Sequence, residues 1–327
     1  MSAVASAQPT DRRGLTGRLR SLLGDARDVS LPLLALAIVF IAIVVVQSTV
    51  LSYNGLGLLL GSAVPLVFAT IAQGLIIGLG DIDLGIGFGT GLTNAICAGI
   101  MVYHFELGLL CLVGFVVAYA LVGTLISVRR VPALIITLGA SFVWLGLGEL
   151  ILPTPGGAAP TWLSNLYNAN TLLLPLPLWL IIIAGVAAYL LVFRSRVGVM
   201  LRGFGSNPDA YSANGFSRIR VRAMTYALAA VFLILAGLSI TGLTGSGDPT
   251  GSANYTLLAV AGVILGGGSF AGGRMSAVGM IAGALVMALI GSLLGLMSIA
   301  PSFETGAQGV VMLVVIAGRR FWSRQGI

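Results

Sequence analysis

The sequence contains no lysine, and all seventeen of its basic residues are arginine. That absence excludes a P-loop lysine, a Schiff-base lysine and a lysine general base together. If nucleotide hydrolysis drives this protein, a separate chain must perform it. Charge of either sign is scarce: 8% of residues are charged, against about 25% in soluble domains. Cys97 and Cys111 are isolated in apolar runs and read as small buried hydrophobes. The single histidine, His104, sits in the stretch YHFE at the expected end of a span, as an interfacial polar residue. No metal-ligand spacing is present. With one histidine, no lysine and no clustered catalytic set, a membrane-embedded enzyme is the weakest of the functional classes.

What is abundant points one way. The chain is 57% hydrophobic with a mean hydropathy of +1.05, which leaves a polytopic membrane protein as the class. Its 46 glycines are roughly twice the usual share. In a membrane, glycine favours close helix approach and broken helices. A span needs roughly 20 apolar residues, fewer where a helix is broken. The expected fold is therefore all-α, with about ten transmembrane helices. They lie near 31–50, 57–79, 85–103, 107–127, 133–152, 175–193, 223–242, 255–270, 275–297 and 305–318. Residues 1–30 form a polar tail, 31–320 the membrane domain and 321–327 a second tail. Leu31 to Val50 is long enough for a retained first helix, so no signal peptide is read here.

The arginines test that count. With the N-terminus inside and the spans alternating, every arginine falls on the cytoplasmic side. Arg12, Arg13, Arg18, Arg20 and Arg27 lie in the first tail, and Arg129 and Arg130 follow the fourth span. Six lie between 194 and 222, Arg274 follows the eighth span, and Arg319, Arg320 and Arg324 close the chain. The net charge of +7 therefore reads as topology signal and attraction to anionic lipid, and suggests no nucleic acid. Ten spans divide into five and five, which inverts the second half relative to the first, a geometry common in transporters. GLGDIDLGIG after the second span and GSGDPTGSANY after the seventh occupy equivalent places and support such a repeat.

Four stretches invite a functional reading. The loop 194–222 is the longest polar interruption of the apolar pattern. At its centre Asn207 is placed to cap a short helix with Pro208 at its first position, and Gly215 to end it in a left-handed conformation. With Tyr211 and Asp209 exposed, such a helix is either a topogenic connector or a docking element. In Gly80–Gly87, the carboxylates Asp81 and Asp83 interrupt a long apolar run. They can be solvated at the cytoplasmic edge, cap the next helix, or contact a polar solute or coupling ion. In Val131–Gly146, Thr137 and Ser141 place hydroxyls inside a span, where helix packing competes with contact to solute. Leu265–Ser276 reads as a glycine-rich re-entry turn. The longest external loop, Pro153 to Leu174, is either a connector with aromatic anchors or a docking surface for an outside partner.

From about residue 30 to 320, the chain resembles the permease subunits of bacterial ABC importers of the ribose-type, monosaccharide class. These belong with the branched-chain amino-acid permeases in a wider superfamily. The family pattern GGIDLSVG is met by GDIDLGIG, and VPPFIVTLG by VPALIITLG. GRYIYAIGGNEEAARLSGI is met by GVMLRGFGSNPDAYSANGF, and VIGGTSLSGGRGS by ILGGGSFAGGRMS. Asp81, Gly85, Gly268 and Met275 depart from those patterns, so the solute can differ from ribose.

The resemblance implies an all-α permease working by alternating access in the bacterial inner membrane. It implies partners: two cytoplasmic ATPase subunits, a second permease copy or homologue, and an extracellular or periplasmic solute-binding protein. It implies no cofactor on this chain, with ATP and magnesium used by the ATPase. It assigns the ATPase-coupling role to Gly205, Asn207, Pro208, Asp209, Ala210, Tyr211, Asn214 and Gly215. Asp81, Asp83, Thr137 and Ser141 are the candidates for the pathway. The competing reading is an ion-coupled secondary transporter using Asp81 or Asp83.

Overall fold

The computed structural model describes residues 15–169, 171, 173–299, 303, 306–310 and 313–314. Among these residues the chain is helical, and its only bridge of strand type joins Gly156 to Gly247. The helices are α1 (Leu15–Val46), α2 (Tyr53–Gly61), α3 (Val64–Gly78), α4 (Ile86–Ala95), α5 (Phe105–Arg129), α6 (Ala133–Ile151) and α7 (Thr161–Asn168). They continue with α8 (Leu176–Tyr189), α9 (Arg196–Ser206), α10 (Pro208–Ala213), α11 (Arg218–Thr244), α12 (Tyr255–Leu265) and α13 (Ala277–Leu296). Helices α4 and α8 each run on into a π-helical turn, Ile96–Met101 and Leu190–Arg194.

Five of these helices are long and apolar enough to cross a membrane, or six if α2 and α3, bent by 41° at Ser62–Ala63, form one span. Three shorter apolar stretches, Ser30–Val46, Ile86–Met101 and Tyr255–Leu265, add to them. The chain is thus a multi-pass membrane protein. Helix α1 starts well before the apolar run at 31–50, because the preceding segment is rich in Leu and Arg, good helix formers. Of the expected tenth span at 305–318, only 306–310 and 313–314 are described, and they are helical; the arginines of both chain ends, except Arg18, Arg20 and Arg27 within α1, lie outside the described residues.

Helix α3 is buried along its whole length, an apolar rod with α11, α12 and α13 around it. Glycine lets these helices touch: a Cβ at Gly283 would meet the Gly262 backbone, and one at Gly279 the Gly266 backbone. Lipid supplies no hydrophobic force between helices, so such close backbone contact is where packing energy is gained. The outer faces of α5, α6 and α8 are exposed and apolar, as a lipid-facing surface must be.

The two ends of the bundle differ. At one, the Ser127 hydroxyl of α5 reaches the Arg218 carbonyl of α11, and the Gly273 amide donates to the Gly78 carbonyl at 2.9 Å. This end gathers Arg129, Arg130, Arg218, Arg222 and Arg274. At the other, the loop after α6 pairs with the loop after α11 through Gly156 and Gly247, and the Ala158 amide donates to the Ala98 carbonyl. Between α6 and α8 the chain forms α7, with Leu163 buried and Trp162 at the surface.

Candidate functional site

The arginine-rich end holds two connected structures, the α9–α10 elbow and the loop between α3 and α4. The elbow is built by capping. The Asn207 side chain accepts from the Ala210 amide at 2.9 Å, Pro208 takes the first helical position, and the Asn214 side chain donates to the Ala210 carbonyl at 2.8 Å. Gly215 then turns the chain at φ +81°. Asp209 and Arg218 form an exposed ion pair at 2.7 Å, and Arg218 also donates to the Ser212 hydroxyl. Asn207, Pro208, Asp209, Ala210, Asn214 and Gly215 are all exposed.

Tyr211 differs from expectation. It is buried, wedged edge-on against Phe204 of α9 at 5.6 Å and against Phe216 at 5.0 Å. An isolated six-residue helix has no stability of its own. Its one aromatic ring turns inward to anchor it. Burial pushes the Tyr211 phenol above the usual tyrosine range, with the Arg220 guanidinium pulling the other way, so it is neutral at physiological pH. Gly205 is also buried. A side chain there would collide with the Gly78 carbonyl and the Gly273 amide. Gly80, Gly272 and Gly273, all at positive φ, complete this junction. Three of the four motif stretches of the sequence therefore meet backbone to backbone.

The α3–α4 loop carries the two carboxylates, and they do different things. Asp81 makes a two-pronged ion pair with Arg222 of α11, at 2.9 and 3.0 Å. Asp83 is buried. One oxygen accepts from the Gly85 amide at 2.6 Å, and the other from the Tyr119 hydroxyl at 2.8 Å. The N-terminus of α4 is satisfied in the same region: Thr137 accepts from the Leu84 amide at 3.1 Å and Thr256 from the Gly87 amide at 2.9 Å. Asp83 thus holds the turn that leads into α4, and Asp81 is one half of an ion pair. Trp144 stacks on Tyr119 at 5.5 Å and Phe115 meets it edge-on, closing an aromatic wall beside Asp83. Thr137 and Ser141 face inward on α6. Thr137 is spent on the loop, and Ser141 donates to the Leu138 carbonyl at 2.6 Å.

Reading the sequence did not single out Arg222, Tyr119, Thr256 or Phe204. A tyrosine inside an apolar run, as Tyr119 is, does signal a buried hydroxyl in need of a partner. Nothing local pairs Arg222 with a residue 141 positions away.

A counterpart of the Asp83 turn follows α11. Asp248 accepts from the amide and hydroxyl of Thr250, each at 2.8 Å, the same two-residue turn as Asp83 to Gly85. Asn94 of α4 ties the two regions together, accepting from the Asp248 amide at 2.7 Å and donating to Thr241 at 2.7 Å.

Known proteins resemble this chain over most of its length. The ribose import permease protein RbsC of Escherichia coli K12 is 27% identical over 256 residues, 75% of this chain and 79% of the relative. The L-arabinose transport system permease protein AraH of the same strain is 26% identical over 200 residues, 61% of each chain. The galactofuranose transporter permease protein YtfT of that strain is 24% identical over 275 residues, 81% of this chain and 80% of the relative. No solved structure matches. The family model for the branched-chain amino acid transport system permease component matches residues 55–316, and the chain belongs to that family.

Proposed function

We propose that this chain is the translocation subunit of an ATP-driven importer and carries a small polar solute inward, most naturally a monosaccharide. The carrying observation is the α9–α10 elbow, a capped and exposed helix at the arginine-rich end whose aromatic root reaches into the membrane bundle. An exposed face on a rooted helix is what a docking partner can grip and move. The arginines of this end make it cytoplasmic. The partners are then ATPase subunits on that face, a second permease copy or homologue in the membrane, and a solute-binding protein outside. The full arrangement has ten spans with both termini inside, and the matching turns at Asp83 and Asp248 support an inverted repeat.

The names of the relatives support a sugar as solute, since those proteins carry ribose, L-arabinose and galactofuranose. In the mechanism, ATP draws the two ATPases together and the elbows move with them. The pathway between permease halves then opens to one side at a time. High affinity resides in the binding protein, so the permease needs few polar contacts of its own.

The test is uptake into proteoliposomes holding this chain with its ATPase and binding-protein partners. Radiolabelled D-ribose, L-arabinose and D-galactose serve as probes. Uptake of one of them that requires internal ATP supports the reading. Uptake that proceeds without ATP and follows an imposed proton or sodium gradient overturns it in favour of an ion-coupled carrier.

A further inference from the structure

Asp81 and Arg222 are far apart in sequence yet share two hydrogen bonds, Nε to Oδ2 at 2.9 Å and Nη2 to Oδ1 at 3.0 Å. Their side chains are only 7% and 20% exposed. A two-pronged contact fixes the plane of a guanidinium as well as its position. The same Arg222 guanidinium lies over the ring of Phe204, 5.2 Å from its centroid. Phe204 in turn packs edge-on against Tyr211, the anchor of α10. One continuous set of contacts therefore runs from the exposed α10 through α9 and α11 to the α3–α4 loop. Two residues beyond Asp81, Asp83 accepts from the Gly85 amide in the turn that enters α4. The glycine junction of Gly78, Gly205 and Gly273 lies alongside and leaves no slack between α9 and the end of α3.

We infer that the Asp81–Arg222 pair, with Phe204, is the linkage that turns displacement of α10 into displacement of the α3–α4 loop. Asp81, Arg222 and Phe204 are positioning residues in this scheme and contact neither solute nor nucleotide. The inference rests on α10 as the ATPase-coupling element. It adds a route, and it takes Asp81 out of the solute pathway. A cation held on one side by a carboxylate and on the other by an aromatic face has two attachments. If either neighbour moves, the guanidinium must follow or let go.

The experiment uses the full chain with its ATPase in nanodiscs. Cys97 and Cys111 are replaced by alanine, and Leu84, half-buried in the loop, is replaced by cysteine as a reporter. The rate of N-ethylmaleimide labelling at this site is compared with and without MgATP and orthovanadate. In the parent, trapping changes the rate. With Asp81→Asn or Arg222→Gln the response is lost while vanadate still traps nucleotide. Asp81→Glu, which keeps a carboxylate for Arg222 and leaves the guanidinium over Phe204, retains the response. A response in Asp81→Asn and Arg222→Gln equal to the parent's overturns the linkage. Should a single variant fail to fold, Phe204→Leu keeps an apolar side chain at that position and removes the aromatic face. An unchanged response there overturns the linkage equally. A parent that traps no nucleotide overturns the importer reading and the linkage with it, which is distinct from a responsive parent with equally responsive variants.

Discussion

At Asp83 a single carboxylate separates two accounts of transport. The geometry is that of a structural turn, with one oxygen on the Gly85 amide and the other on the Tyr119 hydroxyl. Asparagine can do both jobs, accepting from Gly85 with its oxygen and donating to Tyr119 with its amide. Asp83→Asn is therefore expected to keep ATP-driven uptake within a small factor of wild type, measured in proteoliposomes. An ion-coupling carboxylate would lose all transport on that change. Tyr119→Phe should be worse for stability than Asp83→Asn. It strips a buried carboxylate of a donor, and hydrogen bonds to charged groups are worth about 1.5–3 kcal/mol. Thermal unfolding in detergent would show it.

The glycines give a second contrast at this scale. At Gly205 a Cβ meets backbone on two sides, from Gly78 and Gly273, and neither can rotate away. Overpacking of this kind costs about 1–3 kcal/mol and sometimes more. Gly205→Ala should lower the midpoint of thermal unfolding clearly. At Gly139 on α6 nothing lies within 4 Å of a built Cβ. Gly139→Ala should leave the isolated subunit as stable as before, in the same measurement. A loss in the assembled complex alone would then report a neighbour on α6.

Among the elements, α10 was the most legible in the sequence. Asn207, Pro208 and Gly215 are local signals, and local signals act through the backbone of their own segment. Helix α10 begins at Pro208 and ends before Gly215 as those residues require. The inward turn of Tyr211 was not legible, since it depends on Phe204 and Phe216 arriving from either side. Replacing a capping Asn with Ala costs about 0.5–2 kcal/mol, more than six residues can recover alone. Asn207→Ala should raise amide hydrogen exchange across α10 while α11 stays protected. Ala210 is exposed on the same helix. Ala210→Arg should lower solute moved per ATP hydrolysed with the unfolding midpoint unchanged. Normal coupling in that variant would remove α10 from the coupling role.

For the molecule as a whole, the absence of lysine and the placement of arginine carry the prediction. A chain with no nucleotide-binding lysine leaves ATP hydrolysis to a partner, so ATP-driven uptake should stop when the ATPase is omitted or its ATP withdrawn. A protonophore should leave uptake into ATP-loaded proteoliposomes unchanged. A decline with the protonophore would restore the ion-coupled reading.

The sequence by itself determined the all-helical membrane class, the approximate place of the apolar helices among the described residues, the arginines at one end and the capped elbow. Hydropathy and capping are properties of contiguous residues, and a bilayer leaves contiguous apolar residues almost no choice but helix. Only the tertiary structure decided that GDIDLGIG, the elbow and the glycine turn before α13 meet at one junction. It alone decided that Asp81 belongs to Arg222 while Asp83 belongs to the Gly85 amide and Tyr119. Two carboxylates two residues apart look alike in sequence. Which partner each finds depends on helices that arrive from well over a hundred residues away for one and from the neighbouring span for the other.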